Sequence, residues 1–409
     1  MNLVLLGNGF DLSLGLPTSY IDFLDTMGFI LESDPDNYQT VADIWRSKQL
    51  QKCNKNIANA YDRYRAIYES VPFPKGFIAA IKSTLEKNIW YRYLTGSFNK
   101  DVGWIDFEQE IQTVIDSFDF ILTSFGGRSS IDTTGVFQKD LYIVLSFNFL
   151  MKSREEKYSI FEGSYSVREE FTIEQPLGSG HRVIDKEKII SYLFNELRSV
   201  MSLLQRYLNV FIDAPFAKAV DANLIDAHKL FGYAERVITL NYTHSFEYLY
   251  PSIDVIHLHG EVGKEIILGI PSDECDTEEF LNTDFIMFKK YFQRLIHGTD
   301  GEYLSFLQKT KSLSKKIKKV SLTVMGHSLD VSDRDIIVEL FDASDSITIL
   351  YHSQSALETY VRNLVRIFRK SGLDELRATK SLKFHPLAEE QSFTMEQGME
   401  DFFASFEAK

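Results

Sequence analysis

The first residues, Asn2-Leu3-Val4-Leu5-Leu6, form a short apolar run that stops at Gly7-Asn8-Gly9-Phe10-Asp11, a pattern that predicts a buried strand turning into a helix. From about residue 36 to 208 the spacing becomes helical. Phe77, Ile78, Ile81, Leu85 and Ile89 recur every three or four positions, as do Phe107, Ile111, Val114, Ile115 and Phe118, and a third helix is predicted over 189–211. Residues 152–185, rich in charge, Gly and Ser, read as a long loop or small irregular element. Short β-branched runs then return at 237–240, 255–258, 266–268, 320–325 and 347–351, with helical patterns at 333–341 and 356–368 among them. That alternation predicts a mostly parallel sheet flanked by helices, which the first strand joins. Near the end, Met399, Phe402, Phe403 and Phe406 share one helical face and predict a docking helix.

The expected fold class is therefore α/β and Rossmann-like, with a large, mainly helical insertion. The expected division is a discontinuous core over 1–35 and 225–385, an insertion over 36–224 and a C-terminal docking helix over 386–409. A chain of 409 residues can bury a sizeable core. Its net charge of −14 disfavours non-specific attachment to nucleic acid or anionic membranes while leaving room for a local basic pocket. Cys53 and Cys275 read as reduced thiols. With no leader pattern in the opening residues, and a longest apolar stretch near 141–151 that falls short of the ~20 residues of a membrane span, a cytoplasmic protein is expected.

Four loops that follow strands carry candidate chemistry. Gly7-Asn8-Gly9 lets backbone approach a phosphate beside a helix N-terminus, although Leu12 stands where a dinucleotide fingerprint has its third glycine; the alternative is a tight turn with Asp11 as helix cap. Asn241-Tyr242-Thr243 follows one strand and His259-Gly260 the next, so a carboxamide and an imidazole are expected side by side at the carboxyl edge of the sheet. His257 alternates with His259 and is expected on the opposite face against a helix, which leaves that pair unsuited to a zinc site. Gly326-His327-Ser328 offers backbone N–H and hydroxyl groups to ribose or phosphate, with Ser332 or Asp333 capping the helix beyond. Asp106 and Glu108 favour a helix N-terminus and are also candidates for entering a pocket, and Lys289, Lys290, Arg294 and His297 either neutralise phosphates or form a solvated face.

Together, Gly7-Asn8-Gly9-Phe10-Asp11-Leu12 with Gly15-Leu16-Pro17-Thr18-Ser19-Tyr20, Trp104-x-Asp106-Phe107-Glu108, Asn241-Tyr242-Thr243, His257-x-His259-Gly260 and Gly326-His327-Ser328-Leu329-x-x-Ser332-Asp333 resemble the AbiH family of bacterial phage abortive-infection proteins. The same blocks are similar, more distantly, to the sirtuin NAD-binding fold. That second resemblance implies a catalytic pair, Asn241 and His259, beside the ribose that carries nicotinamide. It further implies a dinucleotide cradle of Gly7, Asn8, Gly9, Phe10, Asp11, Pro17, Thr18, Gly326, His327 and Ser328. The absent cysteine zinc module and the helical insertion argue against a protein deacylase.

The implied function is that of an antiphage effector, an NAD glycohydrolase that takes NAD as substrate, releases nicotinamide and ADP-ribose, and needs no further cofactor and no metal. Expected partners are NAD or a related nucleotide, a second copy of the chain in a homo-oligomer and a phage-derived trigger or partner protein, with no membrane. Two alternatives stand beside this reading: a metal-dependent nuclease or other nucleic-acid-directed effector using Asp106 and Glu108, and a non-catalytic nucleotide-binding sensor.

Overall fold

The computed structural model describes residues 1–97, 106–132, 138–152, 164–174, 182–225, 231, 233–271, 284–314 and 319–387. Six strands form the main sheet: β1 (Asn2–Leu6), β2 (Arg236–Thr239), β3 (Asp254–His257), β4 (Ser321–Met325), β5 (Ser346–Tyr351) and β6 (Lys383–Pro386). All neighbours are parallel, in the order β6-β5-β4-β1-β2-β3. The mixed α/β, Rossmann-like architecture expected from the sequence is present. Leu3 to Leu6, Val237, Ile238, Leu322 and Val324 are almost fully buried, as strands covered on both faces require. On one face Ile336, Ile337 and Leu340 of the helix Arg334–Ala343 and Leu364 and Ile367 of the helix Gln354–Thr379 pack against them. Each such side chain contributes about 1.5–3 kcal/mol by leaving water.

Register fixes where the loops emerge. Leu6 stands opposite both Thr239 and Met325, and Thr239 opposite His257, so Gly7, Leu240, Leu258 and Gly326 all leave the sheet at one edge. The chain runs outward through β1, β2 and β3 and then returns to the other side of β1 with β4, so the order reverses between β1 and β4. Open α/β sheets bind ligands at such a reversal.

The elements differ from expectation in particular places. Residues 266–268 are buried but form no strand; Ile266 makes only an isolated bridge to Gly260, so its apolar run reflects burial alone. The helix expected over 189–211 is α-helical over Lys186–Tyr207 and then widens into a π-turn over Leu208–Asp213. The irregular region 152–185 contains short strands at Ser164–Val167, Thr172–Glu174 and Arg182–Ile184. Residues 388–409, with the expected docking helix, lie outside the described residues, as do Trp104 and Cys275.

The chain divides into two compact units. The first comprises Met1–Ala79, Leu204–Ile267 and Gln293–Lys409, so residues 36–79 and 204–224 group with the sheet. Its helix Tyr20–Glu32 starts with a reciprocal cap between Ser19 and Asp22. Trp45, wholly buried, meets Tyr68 edge-on at 4.8 Å and Phe211 at 5.6 Å between ring centroids. The second comprises Ala80–Leu203 and Leu268–Phe292. Its helix Phe107–Phe125 supplies Phe118 to a ring cluster with Phe147, Phe149 and Trp90, beside a three-stranded antiparallel sheet. No helix among the described residues is long and apolar enough to cross a membrane.

Candidate functional site

At the reversal, the two glycine loops grip each other. Gly9 N donates to Gly326 O at 2.8 Å and Gly7 N to Met325 O at 3.1 Å. A Cβ on Gly7 would come within 2.6 Å of His327 Cα, and one on Gly9 within 2.6 Å of Gly326 Cα. Gly326 has φ +69°, and a Cβ there would collide with the Phe10 backbone nitrogen. Backbone packing between loops thus accounts for all three glycines, and two of the N–H groups expected to face a phosphate are spent inside the protein. Asn8 and Ser328 are the exposed members of the two loops, and Thr18 Oγ1 donates to Asn8 Oδ1 at 2.6 Å. Phe10 sits among Phe231 and Phe246, and the Pro17 carbonyl accepts from the Tyr207 hydroxyl at 2.6 Å.

Asp11 is no helix cap. Its buried carboxylate accepts from Thr243 Oγ1 at 2.6 Å and from Ser245 Oγ, tying the loop after β1 to the loop after β2. Burial pushes its pKa up to about 6 against the pull of the two hydroxyls, with Asp213 and Glu247 adding to the rise.

The sequence-predicted pair emerges where expected. Asn241 and His259 follow β2 and β3, 7% and 4% exposed. The Asn241 carboxamide has no hydrogen-bond partner among the described residues, whereas the Asn241 backbone carbonyl accepts from His257 Nδ1 at 3.0 Å. His259 Nε2 lies 3.2 Å from Asp333 Oδ1, and His327 Nε2 donates to Asp333 Oδ2 at 3.3 Å. The Leu329 N–H donates to His327 Nδ1 at 3.0 Å, which places the His327 proton on Nε2. One buried carboxylate therefore stands between two imidazoles from different loops, hydrogen-bonded to His327 and within ion-pair distance of His259. Asp333 precedes the helix Arg334–Ala343 but its side chain caps nothing; Asp330, accepting from Ser332 N, caps the short turn before it. The expected cap at Ser332 or Asp333 is replaced by this bridge. Arg294 pairs with Asp335 and has no hydrogen-bond partner for its buried Nη1 among the described residues.

His257 turns the other way, as alternation requires, with Nε2 2.5 Å from Glu247 Oε1 of the short helix Ser245–Leu249. Sequence reasoning missed its neighbour His244, which lies in a turn with no periodic signal. His244 Nδ1 is 2.8 Å from Asp213 Oδ2 and Nε2 is 2.8 Å from Glu261 Oε2. The Asp213 hydrogen bond is the largest cause raising the His244 pKa to about 9, against burial and with help from Glu261. Burial favours a raised Glu261 pKa, but Lys264 and His244 outweigh it and hold the carboxyl below its ordinary range. Ligand atoms of His244, His257 and Glu261 all lie within 4.8 Å of one another, close enough to share a metal ion.

In the second unit, Asp106 caps its helix by accepting from Glu108 N at 2.9 Å and Gln109 N at 3.1 Å. Glu108 Oε2 pairs with buried Lys290 Nζ at 2.7 Å. A cleft of about 480 Å³ opens among Thr40, Asp43, Arg46, Tyr61, Arg65 and Glu69 and is lined by none of the sequence-predicted site residues.

A family model described as bacteriophage abortive infection AbiH matches residues 3–352. No curated protein and no solved structure matches the chain.

Proposed function

Because the chain belongs to the AbiH family of bacteriophage abortive infection, and so has an antiphage role, we propose that it acts by hydrolysing NAD to nicotinamide and ADP-ribose, in a sirtuin-like manner, at the sheet edge that carries Asn241 and His259. The observation behind this reading is the placement of the Asn241 carboxamide, which makes no side-chain hydrogen bond among the described residues, and of the His259 imidazole 3.2 Å from Asp333, at the ends of adjacent parallel strands. Hydrolysis breaks the ribose–nicotinamide C–N bond and forms a bond from C1′ to a water oxygen. Nicotinamide leaves neutral with the electron pair, so no strong general acid is needed. The water proton passes to His259, and Asn241 hydrogen-bonds the ribose as positive charge develops on the sugar. Asp333, shared with His327, stabilises the imidazolium that results. Asn8, Thr18 and Ser328 flank the closed glycine loops as ribose or phosphate contacts.

The activity is held off until infection and released by self-association or a phage-derived trigger or partner in the cytoplasm; the exposed pair Leu295 and Ile296 offers an apolar contact for it. The test is incubation of purified protein with NAD, with and without phage lysate, following nicotinamide by chromatography and nucleic-acid integrity on gels. Nicotinamide release with intact nucleic acid supports the reading. Nucleic-acid loss without nicotinamide favours the nuclease alternative, and NAD binding without turnover the sensor.

A further inference from the structure

We propose that His244, His257, Glu261 and Glu247 form a binding site for one divalent transition-metal ion of the zinc type, independent of whether NAD is the substrate. Each imidazole is already set up as a ligand. His244 Nδ1 faces Asp213 Oδ2 at 2.8 Å and His257 Nδ1 donates to the Asn241 carbonyl at 3.0 Å, so in both rings the outer nitrogen is engaged and Nε2 turns inward. Histidines that ligate metals are held this way, through a carboxylate or carbonyl behind the ring. Inside, the two Nε2 atoms meet carboxylates rather than each other: Glu261 Oε2 at 2.8 Å and Glu247 Oε1 at 2.5 Å.

The carboxylates point the same way. Glu247 Oε2 is buried with no hydrogen-bond partner among the described residues, an orphaned acceptor of the kind that a metal satisfies. Glu261 divides its oxygens, giving Oε1 to Lys264 at 2.5 Å and Oε2 to the cluster. An ion bound here would displace the protons that lie between the ring nitrogens and these carboxylates. The first three ligand atoms lie within 4.8 Å of one another, and closing onto zinc brings such atoms to about 3.3 Å apart. Two nitrogens and two carboxylate oxygens suit zinc better than calcium or magnesium, which take oxygen alone.

Local geometry presents the ligands. The π-turn Leu208–Asp213 ends on Asp213, whose Oδ1 also accepts the His244 backbone N–H at 2.8 Å. The ion would pin this turn to the segment after β2 that bears Asn241.

The experiment uses the full chain with any affinity tag removed, stripped with a chelator and titrated with Zn²⁺ by calorimetry, then loaded with Co²⁺ for visible absorption. One equivalent of zinc at micromolar affinity or tighter, with the intense bands of four-coordinate cobalt, is expected. The variant Glu247→Gln should weaken zinc by about 10–100-fold, and His244→Ala/His257→Ala should remove the site. If the double variant does not fold, Glu247→Gln alone carries the comparison. No saturable binding by 100-fold excess zinc, unchanged affinity in Glu247→Gln, or the weak spectrum of six-coordinate cobalt each overturns the proposal. None of these readouts depends on NAD turnover.

Discussion

Replacing Asp11 by Asn probes the junction on which the site is built. The Asp11 carboxyl is 1% exposed, and its pKa rises from 3.8 to about 6 because burial penalises the charged form. A raised carboxyl keeps its proton longer in the folded protein than in the unfolded chain. Its stabilisation is therefore complete below pH 3.8 and is lost as pH rises through 6. At 1.36 kcal/mol per pH unit the full loss is about 3 kcal/mol, of which about 2 kcal/mol falls between pH 4.5 and 7.5. Asn cannot ionise, so Asp11→Asn lacks this slope. Its side chain still accepts from one of Thr243 and Ser245 and donates to the other, and the hydrogen-bond change is a pH-independent offset of about 1 kcal/mol. Urea unfolding of both proteins at pH 4.5, 6 and 7.5 should show the variant gaining about 2 kcal/mol on the wild type across the range. Parallel profiles would mean that Asp11 is either solvated or paired with a cation, and the inferred junction would be wrong.

Gly326→Ala should cost more than about 3 kcal/mol and lower the melting temperature by at least about 6 °C, since it combines a positive φ with a clash against backbone, while Gly96→Ala, in open space on a helix, should add about 0.5–1 kcal/mol; thermal unfolding compares them. Asp333→Asn should leave NAD affinity within about 3-fold but lower turnover by 10²-fold or more, because it loosens two imidazoles without removing either; equal kcat would exclude the bridge from the mechanism. In the second unit, Lys290→Met should destabilise by about 3–5 kcal/mol and the double variant Lys290→Met/Glu108→Gln by clearly less, a double-mutant cycle that fails if the two single losses simply add.

The sheet was legible because its strands are short, β-branched and buried on both faces, a pattern that survives without knowledge of neighbours. Lys383–Pro386 escaped since an edge strand with Lys, His and Pro carries no such signature. The 266–268 run misled for the opposite reason, being apolar through burial alone. Asn241 and His259 could be placed because parallel register carries their positions to the same edge. Asp333 could not, because a residue ahead of a helix reads as a cap until the fold turns it toward His259 and His327. His244 and Asp213, 31 positions apart, meet only through the π-turn, which leaves no trace in hydrophobic spacing. The glycines of the two loops read as a phosphate cradle, yet the contact that requires them is with each other.

The most direct measurement is the NAD content of cells carrying this protein, sampled through phage infection beside cells carrying Asn241→Ala or His259→Ala. Collapse of NAD with matching rise of nicotinamide in the first culture, and steady NAD in both variants expressed at equal level, is the expected result. Steady NAD in all three cultures while infection still aborts would show that the protein defends the cell by other chemistry.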